Sequence, residues 1–344
     1  MQPLAILASG MVTGVGLSAP ASCAAIRCAI NNFTETRFMD DGGEWIIGSQ
    51  VPLEKPWRGL SKLVHMAVPA IRECLAQTGG ARTETIALLL CVAEEDRPGR
   101  LAGLNDQLFQ AIESELGLHF HPGSGTIPRG HTAGALALLE ARRLLYEENL
   151  RYCIIAGVDS LLVAATLDAY QNQNRLLTAS NSNGFIPGEA GCAILVGLPQ
   201  QTKEKHLLCL GIGQGHEEAT LDSEKPLRAN GLVQAFNAAF ADSNTTIADI
   251  DYRIADLNGE QYWFKEAALA VTRTLRTRKE LFEIWHPVDC IGEVGAAIGP
   301  CTLTVALAAT CKDYAPGNNV LGHFSEADGE RLALVMSSAG GGRN

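Results

Sequence analysis

The sequence reads as a mixed α/β protein built from two similar halves. Short apolar runs alternate with longer amphipathic ones, and the same order of elements occurs twice along the chain. In the first half, strands are expected at 4–9 (LAILAS), 86–92 (IALLLCV), 152–158 (YCIIAGV) and 192–198 (CAILVGL). Helices are expected at 60–77, 104–116 and 132–148, where apolar residues recur every three to four positions. In the second half the strands are 207–213, 252–258, 281–285, 319–324 and 331–337, and the helices 229–242, 262–277 and 300–313. The polar stretch 199-PQQTKEK-205 marks the boundary, giving halves at 1–200 and 206–344. Each half runs from a strand through helices to a glycine-containing turn that opens a small-residue helix, then to closing strands.

Composition narrows the class further. Of 344 residues, 47% are hydrophobic, 19% charged and 6% aromatic, which supports a large core and excludes disorder, collagen and coiled coil. The net charge of −11 argues against a nucleic-acid or anionic-membrane partner. Ten cysteines, none in a C-x-x-C pair and most within apolar runs, read as buried free thiols of a protein in the reducing cytoplasm. The N-terminal run 4–25 imitates a signal peptide, but its first cation is Arg27 and glycines interrupt it. No stretch approaches the ~18 apolar residues of a membrane span.

Five blocks in order resemble the thiolase superfamily, most closely the β-ketoacyl synthases that extend acyl chains on a carrier protein. They are 9-SGMVTGVGLSAP-20, 152-YCIIAGVDSLL-162, 184-GFIPGEAGCAILV-196, the run 229–260 ending in DLNGE, and 291-IGEVGAAIGP-300. The resemblance implies the layered α-β-α-β-α fold of two duplicated halves, normally a homodimer.

The same resemblance exposes what is missing. Condensation takes a thiolate at a helix N-terminus, two histidines and a lysine. In 128-PRGHTAGALALLEARRLL-145, matching Gly134 puts His131 at the cysteine position, and no cysteine lies between Cys91 and Cys153. The first histidine falls on Asn258, the second on Glu293 and the lysine on Val288. The family's glycine- and phenylalanine-rich gating loop is replaced by 324-FSEADGERLALV-335. Acid–base groups contribute about 10²–10⁴-fold each, so losing them with the nucleophile implies no ketosynthase activity and no functional catalytic residue. His131, Asn258, Glu293 and Val288 are thus expected as degenerate active-site positions. A neutral His131 at a helix N-terminus, with Glu293 nearby, keeps an altered acyltransferase or hydrolase chemistry open.

Other motifs carry less. His119 and His121, with His216, Glu217 and Glu218 as further candidates, lack a third metal ligand at diagnostic spacing. The run 211-GIGQG-215 lacks the third glycine and following helix of a dinucleotide fingerprint and reads as a strand-end turn. No cofactor and no metal are expected. The resemblance implies a pseudoenzyme that binds a protein or acyl-type ligand, akin to ketosynthase-like proteins accompanying type VI secretion effectors. A chain-length-factor-like partner of an active synthase and its carrier protein is the alternative.

Overall fold

Chain order and burial explain how the layers form. The computed structural model describes residues 2–199 and 204–340. The first half runs β1 (Leu4–Thr13), α1 (Ala19–Arg27), β2 (Phe33–Met39), β3 (Trp45–Ser49), α2 (Gly59–Leu75), β4 (Ile86–Val92), α3 (Gln107–Leu116), β5 (Gly125–Pro128), α4 (Ala133–Tyr146), β6 (Tyr152–Ser160), α5 (Ala164–Asn172) and β7 (Glu189–Gly197). The second runs β8 (His206–His216), α6 (Asn230–Ser243), β9 (Tyr252–Ala255), α7 (Gln261–Thr274), β10 (Ile284–Trp285), α8 (Val288–Ile291), α9 (Ile298–Cys311), β11 (Asn319–Ser325) and β12 (Glu330–Ala339).

The main sheet has ten strands in the order β10-β9-β11-β12-β8-β1-β7-β6-β4-β5. Outward from its middle, both directions repeat one pattern. The first strand of a half pairs antiparallel with the last, the last antiparallel with the one before it, and two parallel neighbours follow. The halves join where Leu4–Ile6 of β1 pairs with Leu207–Cys209 of β8. This is an α/β fold of duplicated halves. The expected boundary at 199–205 falls largely on residues 200–203, outside the described residues, as does the end of the chain from 341.

Buried strands facing two cores explain the unbroken apolar runs. Along β4, Ala87, Leu89 and Cys91 enter the central core, while Ile86, Leu88 and Leu90 enter the core under α2 and α3. Helices α4 and α9 fill the layer between the two halves of the sheet, and α6 covers β8 and β12 from outside. Helix α9 is buried almost all round, from Ile298 to Thr310, as expected of a helix apolar on every face.

Three expectations shift. The run 211–215 lies inside β8 and is not a strand-end turn. Its glycines let the sheet approach α6, since a Cβ on Gly213 would sit 2.0 Å from the Ala235 carbonyl oxygen. The strand expected at 252–258 ends at Ala255, releasing Asp256 and Asn258 into a loop. The strand expected at 281–285 is only Ile284–Trp285, because Leu281 is solvent-exposed. Among the described residues, no helix is long and apolar enough to cross a membrane.

Candidate active site

His131 sits in a tight helical turn, 130–132, that leads into α4. Gly130 holds φ at +51°, and a Cβ there would lie 2.2 Å from Glu326 Oε2 and 2.6 Å from Glu94 Oε2. Glycine therefore lets two carboxylates close over the turn.

Both ring nitrogens and the backbone N–H of His131 are engaged. Nε2 lies 2.8 Å from Glu293 Oε1, Nδ1 lies 3.2 Å from the Ser325 carbonyl oxygen, and the backbone N–H donates to Glu326 Oε2 at 2.9 Å. Acceptors at both ring nitrogens suit an imidazolium, which donates from each. Burial opposes that charge, but Glu293 and then Glu326 outweigh it and hold the imidazole well above its ordinary value. The expected neutral His131 base is thus corrected: two facing carboxylates outweigh the helix N-terminus.

Glu293 occupies the turn between α8 and α9. Its Oε1 also accepts from the Gly295 N–H at 2.9 Å, and its Oε2 accepts from Asn258 Nδ2 at 2.9 Å. Burial alone would push this carboxyl up, yet the His131 charge and these hydrogen bonds bring it to about 2. His131, Asn258 and Glu293, from three separate stretches of sequence, thus meet in one network. Val288 does not join them: it opens α8 and is buried in the central core.

Residues around this trio lock it further. Arg175 holds Glu260 through two contacts of 2.8 Å, and Glu260 also accepts from Trp263 Nε1 and Asn258 Nδ2. On the other flank, Arg97 reaches Asp159 at 2.5 Å and Glu94 at 2.6 and 2.8 Å. Burial raises the carboxyls of Glu326 and Asp256 to about 7 and about 6, against the lowering pull of His131.

The enclosed cavity is about 30 Å³, lined by His131, Asn258, Glu293, Glu326, Tyr170 and Arg175 among others. That is room for about one water. A wider mouth of about 500 Å³ lies outside it, sharing Glu94, Arg97, Tyr170, Arg175 and Glu326. No cysteine lines either space. Cys91 and Cys153 are buried in β4 and β6, and burial lifts both thiols, Cys153 to about 12.

Sequence reasoning missed Arg97, Asp159, Arg175 and Glu260. One signal was present: Asp159 interrupts an otherwise apolar buried strand, and such a carboxylate needs a partner. The His119 reading ends at Glu113, 3.4 Å away, while His121 Nδ1 accepts from the Gly123 N–H. Among the described residues no group of three or more side chains is placed to hold a metal ion.

No protein-family model and no curated protein matches the sequence. Solved structures do. The chain is 13% identical to a ketosynthase in complex with its chain length factor from Xenorhabdus doucetiae, with TM-score 0.71 and 98% of each chain covered. The fold is the thiolase-like fold of the ketosynthases. The ishigamide ketosynthase/chain length factor gives TM-score 0.75 at 14% identity, covering 98% of this chain and 100% of that one. A β-ketoacyl synthase from Burkholderia phymatum gives 0.71 at 14% identity, with the same coverage. At these identities the likeness concerns the ketosynthase fold alone, and the chemistry rests on the site.

Proposed function

We propose that this protein is a ketosynthase-like pseudoenzyme that acts by binding another protein. The observation that carries this reading is the occupation of His131 by its own chain. Glu293 holds its imidazole and Glu326 its backbone N–H. An acyl carbonyl would use such an N–H at a helix N-terminus to stabilise its developing oxyanion. Here that donor is taken, the cavity admits about one water, and no thiol faces it.

The partner in this reading is a protein: a secretion effector or its adaptor, or an active synthase with its carrier protein. The likeness to solved pairs of a ketosynthase with a chain length factor supports the synthase partner. A surface pocket of about 290 Å³ carries Arg37 and Arg58, which would suit an acidic partner, while its Lys62 is already paired with Glu189 at 2.6 Å. Ten free cysteines suit a reducing compartment.

Size-exclusion chromatography with light scattering, alone and after co-expression with a synthase, tests the reading. A homodimer that captures no synthase supports the effector-side partner, and a stable heterodimer supports the chain-length-factor-like one. Acyl-CoA or acyl-carrier turnover that disappears in His131→Ala would overturn the pseudoenzyme itself.

A further inference from the structure

A second cavity, of about 340 Å³, lies where α1 meets the turn after β10 and the segment after α9. It shares no residue with the His131 cavity or its mouth. Its volume falls within the ~300–1,000 Å³ of small-molecule sites. Its lining includes apolar Ile26, Val305 and Cys290 and the aromatic Trp285 and Tyr314. The Trp285 and Tyr314 rings lie 25° from parallel with centroids 6.3 Å apart. Tyr252 backs Trp285 at 4.7 Å.

The charge at this cavity is uneven. The Arg27 guanidinium lies over the Tyr314 ring, 4.2 Å from its centroid, and among the described residues no carboxylate comes within ion-pair distance of it. The other charged side chain at the rim, Asp289, already faces His286 Nδ1 at 2.9 Å. Among the described residues, Arg27 is the rim cation without a carboxylate partner, and it lies beside aromatic rings. A planar ring packs against aromatic side chains offset-stacked or edge-to-face, an arrangement that a straight alkyl chain cannot make. An arginine over an aromatic face presents its N–H fork to a carboxylate.

We propose that this cavity binds a small aromatic carboxylic acid, its ring against Trp285 and Tyr314 and its carboxylate on Arg27. This site is independent of the pseudoenzyme reading. Titrating the purified full chain with 2-naphthoate by calorimetry tests it, with 2-naphthamide and hexanoate as matched probes. We expect saturable 2-naphthoate binding that is at least about tenfold tighter than that of either probe. Arg27→Gln should weaken 2-naphthoate about tenfold and leave 2-naphthamide unchanged, while Trp285→Leu should weaken both. Arg27 is exposed, so its substitution leaves the fold intact even where Trp285→Leu does not. Absence of saturable 2-naphthoate binding at millimolar concentration would overturn the proposal. So would equal binding of hexanoate, or a 2-naphthoate affinity untouched by Arg27→Gln.

Discussion

His131 Nε2 and Glu293 Oε1, 2.8 Å apart, form a pair, its carboxylate buried and its imidazole largely so, that ties the turn before α4 to the turn before α9. The two helices belong to different halves of the chain yet share the central layer, so this pair clasps the duplicated units. Breaking a buried pair by removing one partner costs about 3–5 kcal/mol. Glu293→Gln should destabilise the fold by that order.

The pH dependence of this loss has a definite sign. Glu293 is depressed from 4.5 to about 2, so its contribution is present above pH 4.5 and fades as pH falls toward 2. His131 is raised above 6.5, so its contribution is complete below that pH and is lost as pH rises through the higher folded value. Urea unfolding from pH 3 to 9 should show the largest gap between wild type and Glu293→Gln between pH 4.5 and 6.5. A gap that widens steadily above pH 8 would contradict the paired assignment.

Glu326 should behave in the opposite way. Burial raises it from 4.5 to about 7, so whatever it contributes is complete below pH 4.5 and is lost as pH rises through 7. Glu326→Gln removes that cost of ionisation. Relative to wild type, the variant should gain about 1–3 kcal/mol between pH 4 and pH 8, measured by the same unfolding series. An unchanged difference across that range would place the Glu326 carboxylate in solvent.

The layers were legible because fully buried strands write themselves as unbroken apolar runs, as at 86–92 and 152–158. Elements without such a signature were not. β2, FTETRFM, is half exposed and mostly polar, and β5 has only four residues. α1 is built of small residues behind a proline and resembles a signal segment more than a helix. At the site, His131, Asn258 and Glu293 were reachable through glycine-framed motifs. The Arg97–Asp159 and Arg175–Glu260 pairs were not, because they join distant loops and strands that no local spacing relates. The protonation of His131 was misread for the same reason: the helix is local in sequence, and the carboxylates that outweigh it are not.

Gly295 marks a point where the site admits no side chain. Its φ is +50°, and an added Cβ would sit 2.2 Å from Asp159 Oδ2 and 2.9 Å from Arg97 Nη2. That carboxylate is pinned by Arg97 and by the Ala296 N–H, so it has nowhere to retreat. Left-handed strain of about 1–3 kcal/mol adds to overpacking of similar size. Gly295→Ala should lower stability by about 2–5 kcal/mol in urea unfolding. A loss below 0.5 kcal/mol would mean that the Arg97–Asp159 pair yields freely.

A thiol placed at position 131 should not act as an acyl nucleophile. In His131→Cys, the sulfur would stand where the imidazole now faces Glu293 and Glu326, two carboxylates in a buried setting. Both burial and like charge disfavour a thiolate, so the helix N-terminus cannot generate the nucleophile. The backbone N–H at 131 would still be held by Glu326, and Asn258 supplies no acid or base for decarboxylation. Intact-mass spectrometry after incubation with acyl-CoA should therefore show no acyl adduct on the variant that wild type lacks. Adding Glu326→Gly to His131→Cys removes one of the two carboxylates and frees the N–H, and only that double variant should acquire a slow acyl adduct. Rapid acylation of the single variant would show that the carboxylates around position 131 do not control its chemistry.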